Sequence, residues 1–149
     1  MGARVFGTVG SESKRLVAMA AGADEVVVSR NYRVWPEISR LAGRAGVDVI
    51  LDAVGGRGLR HGYERMNLGG RLVVYGFAEM MPRRGLRNWP LLAWRVMRMP
   101  RFSPFGMTGT NKSVAGFNLV YMWKKPELFA AGLDALAGMA RQGTIRPVL

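Results

Sequence analysis

Apolar residues in this sequence alternate between short β-branched runs and sets spaced as on one face of a helix. Ala3–Gly7 (ARVFG) is a short apolar run closed by glycine, and Glu12–Ala21 has helical spacing that stops at Gly22, a residue suited to helix ends. Glu25–Ser29 (EVVVS) predicts a second strand, and Pro36–Ala45 a second helix with Ile38, Leu41, Ala42 and Ala45 on one side. Val47–Asp52 (VDVILD) predicts a buried strand ending in an acid and then AVGG. A helix over Leu59–Leu68 and a strand over Arg71–Tyr75, before Gly76, complete the pattern. Strands and helices alternating at this length imply parallel strands joined by right-handed crossovers, hence an open, doubly wound α/β sheet.

From Glu79 to Thr110 the rhythm changes to a proline-punctuated stretch rich in Arg, Trp and Met, with a helix predicted over Trp89–Met99 between loops. Val114–Tyr121 predicts a last strand, and Glu127–Gln142 a closing amphipathic helix that ends at Gly143. No repeat, low-complexity tract or linker divides the chain, so its 149 residues read as one domain.

Composition narrows the chemistry. No apolar run is long enough to cross a bilayer, and the opening MGARVFGTVGSESK lacks the order of a secretory signal, so a cytoplasmic protein is expected. With no cysteine there are no disulfides or thiolate metal ligands, and His61 alone cannot form a histidine cluster, which argues against a metal site built within this chain. The 22 basic residues outnumber the 10 acidic ones by 12, a balance that attracts the phosphates of nucleotides, nucleic acids or anionic lipids alike. Between Glu79 and Glu127 there is no acid, while Arg83, Arg84, Arg87, Arg95, Arg98, Arg101, Lys112, Lys124 and Lys125 all fall there.

The segment GTVGSESKRLVAMAAGADEVV resembles the second strand, turn and helix of the medium-chain dehydrogenase/reductase superfamily, in particular its zinc-independent quinone oxidoreductase branch. GVDVILDAVGG at 46–56, LGGRLVVYG at 68–76 and the run Asn88–Met122, with its NWP and AGFNL, agree in order and spacing. The last run is most similar to the vesicle amine transport protein group. The resemblance implies a Rossmann-like nucleotide-binding domain that uses NADPH to reduce a quinone or conjugated carbonyl. It also implies a homodimer formed through the last strand.

In that family the end of the second strand faces the adenosine ribose, where a small polar residue and a cation favour the 2′-phosphate of NADP over NAD. Here the turn offers Gly10, Ser11 and Lys14: glycine for close backbone approach, a hydroxyl donor, and a compact positive charge near a helix N-terminus. Without the resemblance, Ser11 reads as an ordinary N-cap and Lys14 as a solvated surface residue. Family members often carry a tyrosine after the third strand; this sequence has Ser29, with Arg30 beside it as a substitute. Val54 and Gly55 match the family's turn under the adenine and ribose. Tyr75, Gly76 and Phe77, with Phe117 and Asn118, match the two places that flank the nicotinamide, although aromatic residues there equally suit a core.

Asp52 stands at a strand end without a histidine, second acid or hydroxyl at a recognisable spacing, so proton transfer by it is not expected. His61 reads as a surface residue, and no catalytic residue is assigned. The glycine-rich fingerprint that should follow a first strand is absent, so the expectation is a cofactor-binding domain from its second strand onward. The first strand, its glycine turn and helix, and the substrate domain would then lie outside the chain. In the order 3-2-1-4-5-6 the first strand is central, so its loss would leave a gap, two unpaired strand edges, low stability and weak NADPH binding.

The competing reading is a non-catalytic basic surface. On a helical wheel Arg87, Arg95 and Arg98 share one side and Trp89, Leu92, Val96 and Met99 the other, as in an interfacial helix on an anionic membrane or a helix covering a cleft or dimer contact. Nucleic acid has net charge alone in its favour.

Overall fold

The computed structural model describes residues 2–28, 34–78 and 89–146. They form two compact units, residues 1–117 and 118–149.

The first unit opens with β1 (Phe6–Val9), α1 (Ser13–Ala20), β2 (Glu25–Val28) and α2 (Val34–Ala42). A short 3-10 turn at Gly43–Ala45 leads to β3 (Val47–Asp52), α3 (Gly58–Arg65) and β4 (Met66–Val74). After α4 (Trp89–Met97) and α5 (Pro104–Thr110) comes β5 (Ser113–Gly116). Among the described residues all strand pairing is parallel, but in two sheets: β1 with β2, and β3 with β4 with β5. The α/β class expected from the alternating pattern is therefore present, and the sheet is interrupted between β1 and β3.

One core joins the two sheets. Val27 of β2, Val34, Trp35 and Ile38 of α2, Ile50 of β3, Leu59 of α3, and Met66, Leu72 and Val74 of β4 form a single buried cluster. Leu72 is fully buried because β4 is the middle strand, paired through this residue with Ile50 and Val114. Burying such a side chain contributes about 1.5–3 kcal/mol. Helix α3 approaches closely because residue 62 is glycine: a Cβ there would meet the Trp35 ring at 2.7 Å and Ile50 Cδ1 at 3.2 Å. Lys112 closes the C-terminus of α3, its Nζ donating to the carbonyls of Tyr63 at 2.9 Å and Glu64 at 3.3 Å.

Several boundaries differ from the sequence expectation. The first strand lies at Phe6–Val9 rather than Ala3–Gly7. The helix expected to reach Leu68 stops at Arg65, and β4 begins at Met66, five residues before the expected Arg71, because Gly69 and Gly70 stay within an irregular strand. Gly69 has φ +77°, and β4 shifts register against β3 between Val47 and Val49. Helix α5 was not anticipated, although its signals are in the sequence: Ser103 accepts from the Gly106 N–H, Pro104 starts the helix, and Asn111 ends it with φ 50°.

The expected strand Val114–Tyr121 is shorter. It ends at Gly116, and residues Leu119–Lys124 form a 3-10 helix. That turn opens the second unit, followed by α6 (Pro126–Arg141). Within this unit Trp123 packs on Phe129 with ring centroids 4.9 Å apart.

Helix α4 also departs from the wheel drawn on its sequence. Leu92, Arg95 and Met99 are half-buried, whereas Trp89 and Val96 are 60% and 51% exposed. The inward stripe contains Arg95, so the expected division into an arginine side and an apolar side does not hold for the described residues. Arg87 lies outside them.

Candidate functional site

The functional candidates collect at the carboxyl ends of the parallel strands. At the end of β1 the chain turns through Gly10, Ser11 and Glu12 into α1. Ser11 is not the N-cap: Glu12 holds that place with no side-chain cap bond, and the Ser11 hydroxyl lies 3.0 Å from that of Ser13. The Ser11 carbonyl accepts from the Lys14 N–H at 3.2 Å, which puts Lys14 one turn from Ser11. Lys14 is exposed.

At the end of β3, Asp52 organises the following turn. Its Oδ1 accepts from the N–H of Val54 at 2.8 Å and of Gly55 at 2.6 Å. The carboxylate that invites a catalytic reading thus acts on its own backbone, as aspartate commonly does in turns. Gly55 has φ +75°, and a Cβ there would stand 2.8 Å from Phe77 Cδ1. Gly76 lies equally close to the neighbouring turn, since its Cβ would meet the Ala53 carbonyl oxygen at 2.7 Å. The Tyr75 N–H donates to Asp52 and that of Ala78 to Ala53, so the ends of β3 and β4 are laced together. Phe117 leaves β5 with its N–H on the Val74 carbonyl at 2.9 Å and a half-exposed side chain.

A cleft of about 2350 Å³ runs along β1 and β3 and past their carboxyl ends. Gly10, Ser11, Lys14, Val54, Gly55 and Tyr75 line it; Gly76, Phe77 and Phe117 do not, although the first two pack directly behind Gly55. Asn118 belongs to the second unit, where its side chain accepts from the Val120 N–H at 3.0 Å and caps the 3-10 helix. It is thus not within a strand, because the ladder ends at Gly116. Arg30 falls outside the described residues. His61 is half-buried on α3, not fully on the surface.

A helix covering a cleft was one of the alternatives left open for the Trp89–Met99 stretch, and α4 forms a wall of this one. Trp89, Trp94, Arg95 and Arg98 line the same cleft, and the Arg98 guanidinium sits 4.3 Å from the centre of the Trp94 ring. The acid-free stretch marked this region as basic, but nothing in its pattern tied it to the ends of β1 and β3. Among the described residues there is no group of three or more His, Cys, Asp or Glu side chains that could hold a metal ion. No helix among them is long and apolar enough to cross a membrane.

Comparison with known proteins gives this arrangement a lineage. A family model described as zinc-binding dehydrogenase matches residues 1–137. The synaptic vesicle membrane protein VAT-1 homolog of Danio rerio is 29% identical over 96% of this chain, which spans 29% of that relative's length. The nucleotide-binding subdomain of the enoylreductase domain of PpsC from Mycobacterium tuberculosis superposes with a TM-score of 0.72 at 22% identity, covering 99% of this chain and 73% of that one. The quinone oxidoreductase of Thermus thermophilus, described also in complex with NADPH, superposes at 0.60 with 25% identity, covering 90% of this chain and 36% of its own.

Proposed function

Because this chain belongs to the zinc-binding dehydrogenase family, among the medium-chain dehydrogenases/reductases, we propose that it is the cofactor-binding part of an NADPH-dependent oxidoreductase. The parent protein would reduce a quinone or conjugated carbonyl by hydride transfer without zinc. This chain would supply the nucleotide wall of the site.

One observation carries the reading. Chain order runs outward from the cleft on both sides, β1 to β2 on one and β3 to β4 to β5 on the other, and the turns after β1 and β3 both open into it. Ligands of open α/β sheets bind at the carboxyl ends of strands where the order reverses in this way. The residues there suit a dinucleotide. Gly10 and Gly55 keep side chains out of the path, Ser11 offers a hydroxyl, and Lys14 offers a cation to a 2′-phosphate. Tyr75 borders the same space, while Gly76 and Phe77 support it from behind. Bound NADPH supplies the hydride; the protein binds and orients it.

The test is a nuclear magnetic resonance titration of the chain with NADPH and with NADH. Amide shifts at Ser11 and Lys14 should respond to NADPH at lower concentration than to NADH. Lys14→Ala should reduce that preference roughly tenfold, the loss of one charge-assisted contact. An unchanged ratio of the two affinities would refute the assignment of Lys14.

A further inference from the structure

Strands β3 and β4 pair as parallel neighbours, and the chain leaves both at the same end of the sheet. Asp52, the last residue of β3, makes bonds in two directions there. Its side-chain Oδ1 accepts from the N–H groups of Val54 and Gly55 at 2.8 and 2.6 Å, and its main-chain carbonyl accepts from the Tyr75 N–H at 2.9 Å. Val54, Gly55 and Tyr75 all line the cleft. One residue thus holds both the turn after β3 and the start of the segment after β4.

The turn needs that hold. Gly55 and Gly56 follow one another at φ +75° and +71°, and successive glycines leave a backbone unusually free. With the Val54 and Gly55 amides pinned to Oδ1, the open side of Gly55 receives the Phe77 ring: a Cβ there would stand 2.8 Å from Phe77 Cδ1 and 3.5 Å from the Gly76 carbonyl oxygen. Gly76 in turn fits against Ala53, whose carbonyl accepts from the Ala78 N–H at 3.1 Å. A displaced turn therefore displaces Phe77, and with it Tyr75 two residues earlier.

We propose that Asp52 is a positioning residue for the dinucleotide: by fixing the turn 53–56 against Gly76 and Phe77, its carboxylate oxygen sets the spacing between the seat at Val54 and Gly55 and the aromatic wall at Tyr75. The proposal rests on the nucleotide reading, in which Val54 and Gly55 lie under the adenine and ribose and Tyr75 borders the nicotinamide. The working feature is an acceptor at the Oδ1 position and not the charge, because both donors are neutral amides. A ligand that spans the two seats depends on their spacing; a ligand that fills only one does not.

The experiment compares the full chain with Asp52→Asn, Asp52→Ala and Asp52→Glu. Asparagine keeps an acceptor at Oδ1, alanine removes it, and glutamate displaces it by a methylene while keeping the charge. Ring signals of Tyr75 and Phe77 are followed by nuclear magnetic resonance without ligand. Affinities are then measured for NADPH and for adenosine 2′,5′-bisphosphate, which has the adenosine and its 2′-phosphate but no nicotinamide. Both rings should shift in the alanine and glutamate variants and stay in place with asparagine. NADPH affinity should fall about tenfold with alanine or glutamate, as for a site whose competent form is populated about one-tenth of the time. The bisphosphate should lose less, and asparagine should keep both affinities. Partial unfolding lowers both affinities by one factor, so the difference between the ligands reads positioning and not stability.

An asparagine variant that behaves like alanine would assign the effect to charge and overturn the proposal, as would equal losses for the two ligands. Rings that stay in place in the alanine and glutamate variants while NADPH binds as in the parent would overturn it and leave the nucleotide reading standing. If the parent chain binds neither ligand, the nucleotide reading falls and the positioning role falls with it. Should Asp52→Ala not fold, Asp52→Glu carries the same comparison.

Discussion

Replacing Gly55 with alanine tests whether the turn under the candidate cofactor is held by backbone geometry or merely tolerates glycine. Gly55 is buried with φ +75°, and its missing Cβ would stand 2.8 Å from Phe77 Cδ1 and 3.4 Å from Phe77 Cα. Left-handed backbone costs a residue with a Cβ about 1–2 kcal/mol. Crowding against Phe77 adds about 1 kcal/mol, at the low end for overpacking because the ring is 43% exposed and can swing outward. Gly55→Ala should therefore lose about 2–3 kcal/mol in urea unfolding followed by tryptophan fluorescence. In a Phe77→Ala background the contact disappears and the backbone cost stays, so the loss should fall to about 1–2 kcal/mol. A Gly55→Ala protein within about 0.5 kcal/mol of the parent would show that the turn relaxes freely and refute the reasoning.

Asp52→Ala should cost about 1–2 kcal/mol by releasing the Val54 and Gly55 amides, with Asp52→Asn restoring most of it because Oδ1 remains; equal losses in both would make the charge, not the acceptor, the working feature. The Arg60 hydrogen bond holds Glu64 below its usual range, and the Arg40 hydrogen bond does the same for Glu37. As pH falls, the unfolded chain takes up these protons first, so the contribution is present above the ordinary carboxylate pKa and is lost through the lower folded values. Urea midpoints should fall with acid over that window, and less steeply in an Arg40→Gln, Arg60→Gln double variant; identical slopes would discount both pairs.

The alternation that implied parallel strands is legible because each strand keeps its own apolar signal: VVV in β2 and VILD in β3 are buried on at least one side whatever lies beside them. Strand ends were legible less well. Gly69 and Gly70 look like a turn before RLVV, yet β4 runs through them as an irregularity: Met66 pairs with Val47 and Arg71 with Val49, so the register with β3 shifts across the glycines. Val114–Tyr121 looks continuous, yet Asn118 bonds its own following backbone and redirects the chain. The turn glycines of the candidate site were assigned through the family resemblance, and the α4 stretch was left between a membrane-facing helix and one covering a cleft or dimer contact. Which side of that helix faces the cleft depends on tertiary contacts, and an apolar helix with scattered arginines has no single preferred face to read.

The formal surplus of 12 positive charges is unevenly spread over the described residues. Arg15, Arg40 and Arg60 are matched by Glu12, Glu37 and Glu64 on their own helices, and Arg4 by Glu25. Exposed pairs of this kind stabilise little, but they neutralise their cations toward any ligand. The cleft is lined by Arg4, Lys14, Arg57, Arg95 and Arg98 and by two acids, Asp48 and Asp52. Asp48 accepts from the Asn67 amide and Asp52 from its own turn. The cleft is therefore a basic region set apart from the balanced helix surfaces. A ligand carrying an extra phosphate should feel that field more, and the field is screened by salt. NADPH affinity should fall more steeply than NADH affinity between low and physiological ionic strength. Lys14→Ala should bring the two slopes together, and equal slopes in the parent chain would assign the preference to shape instead of charge.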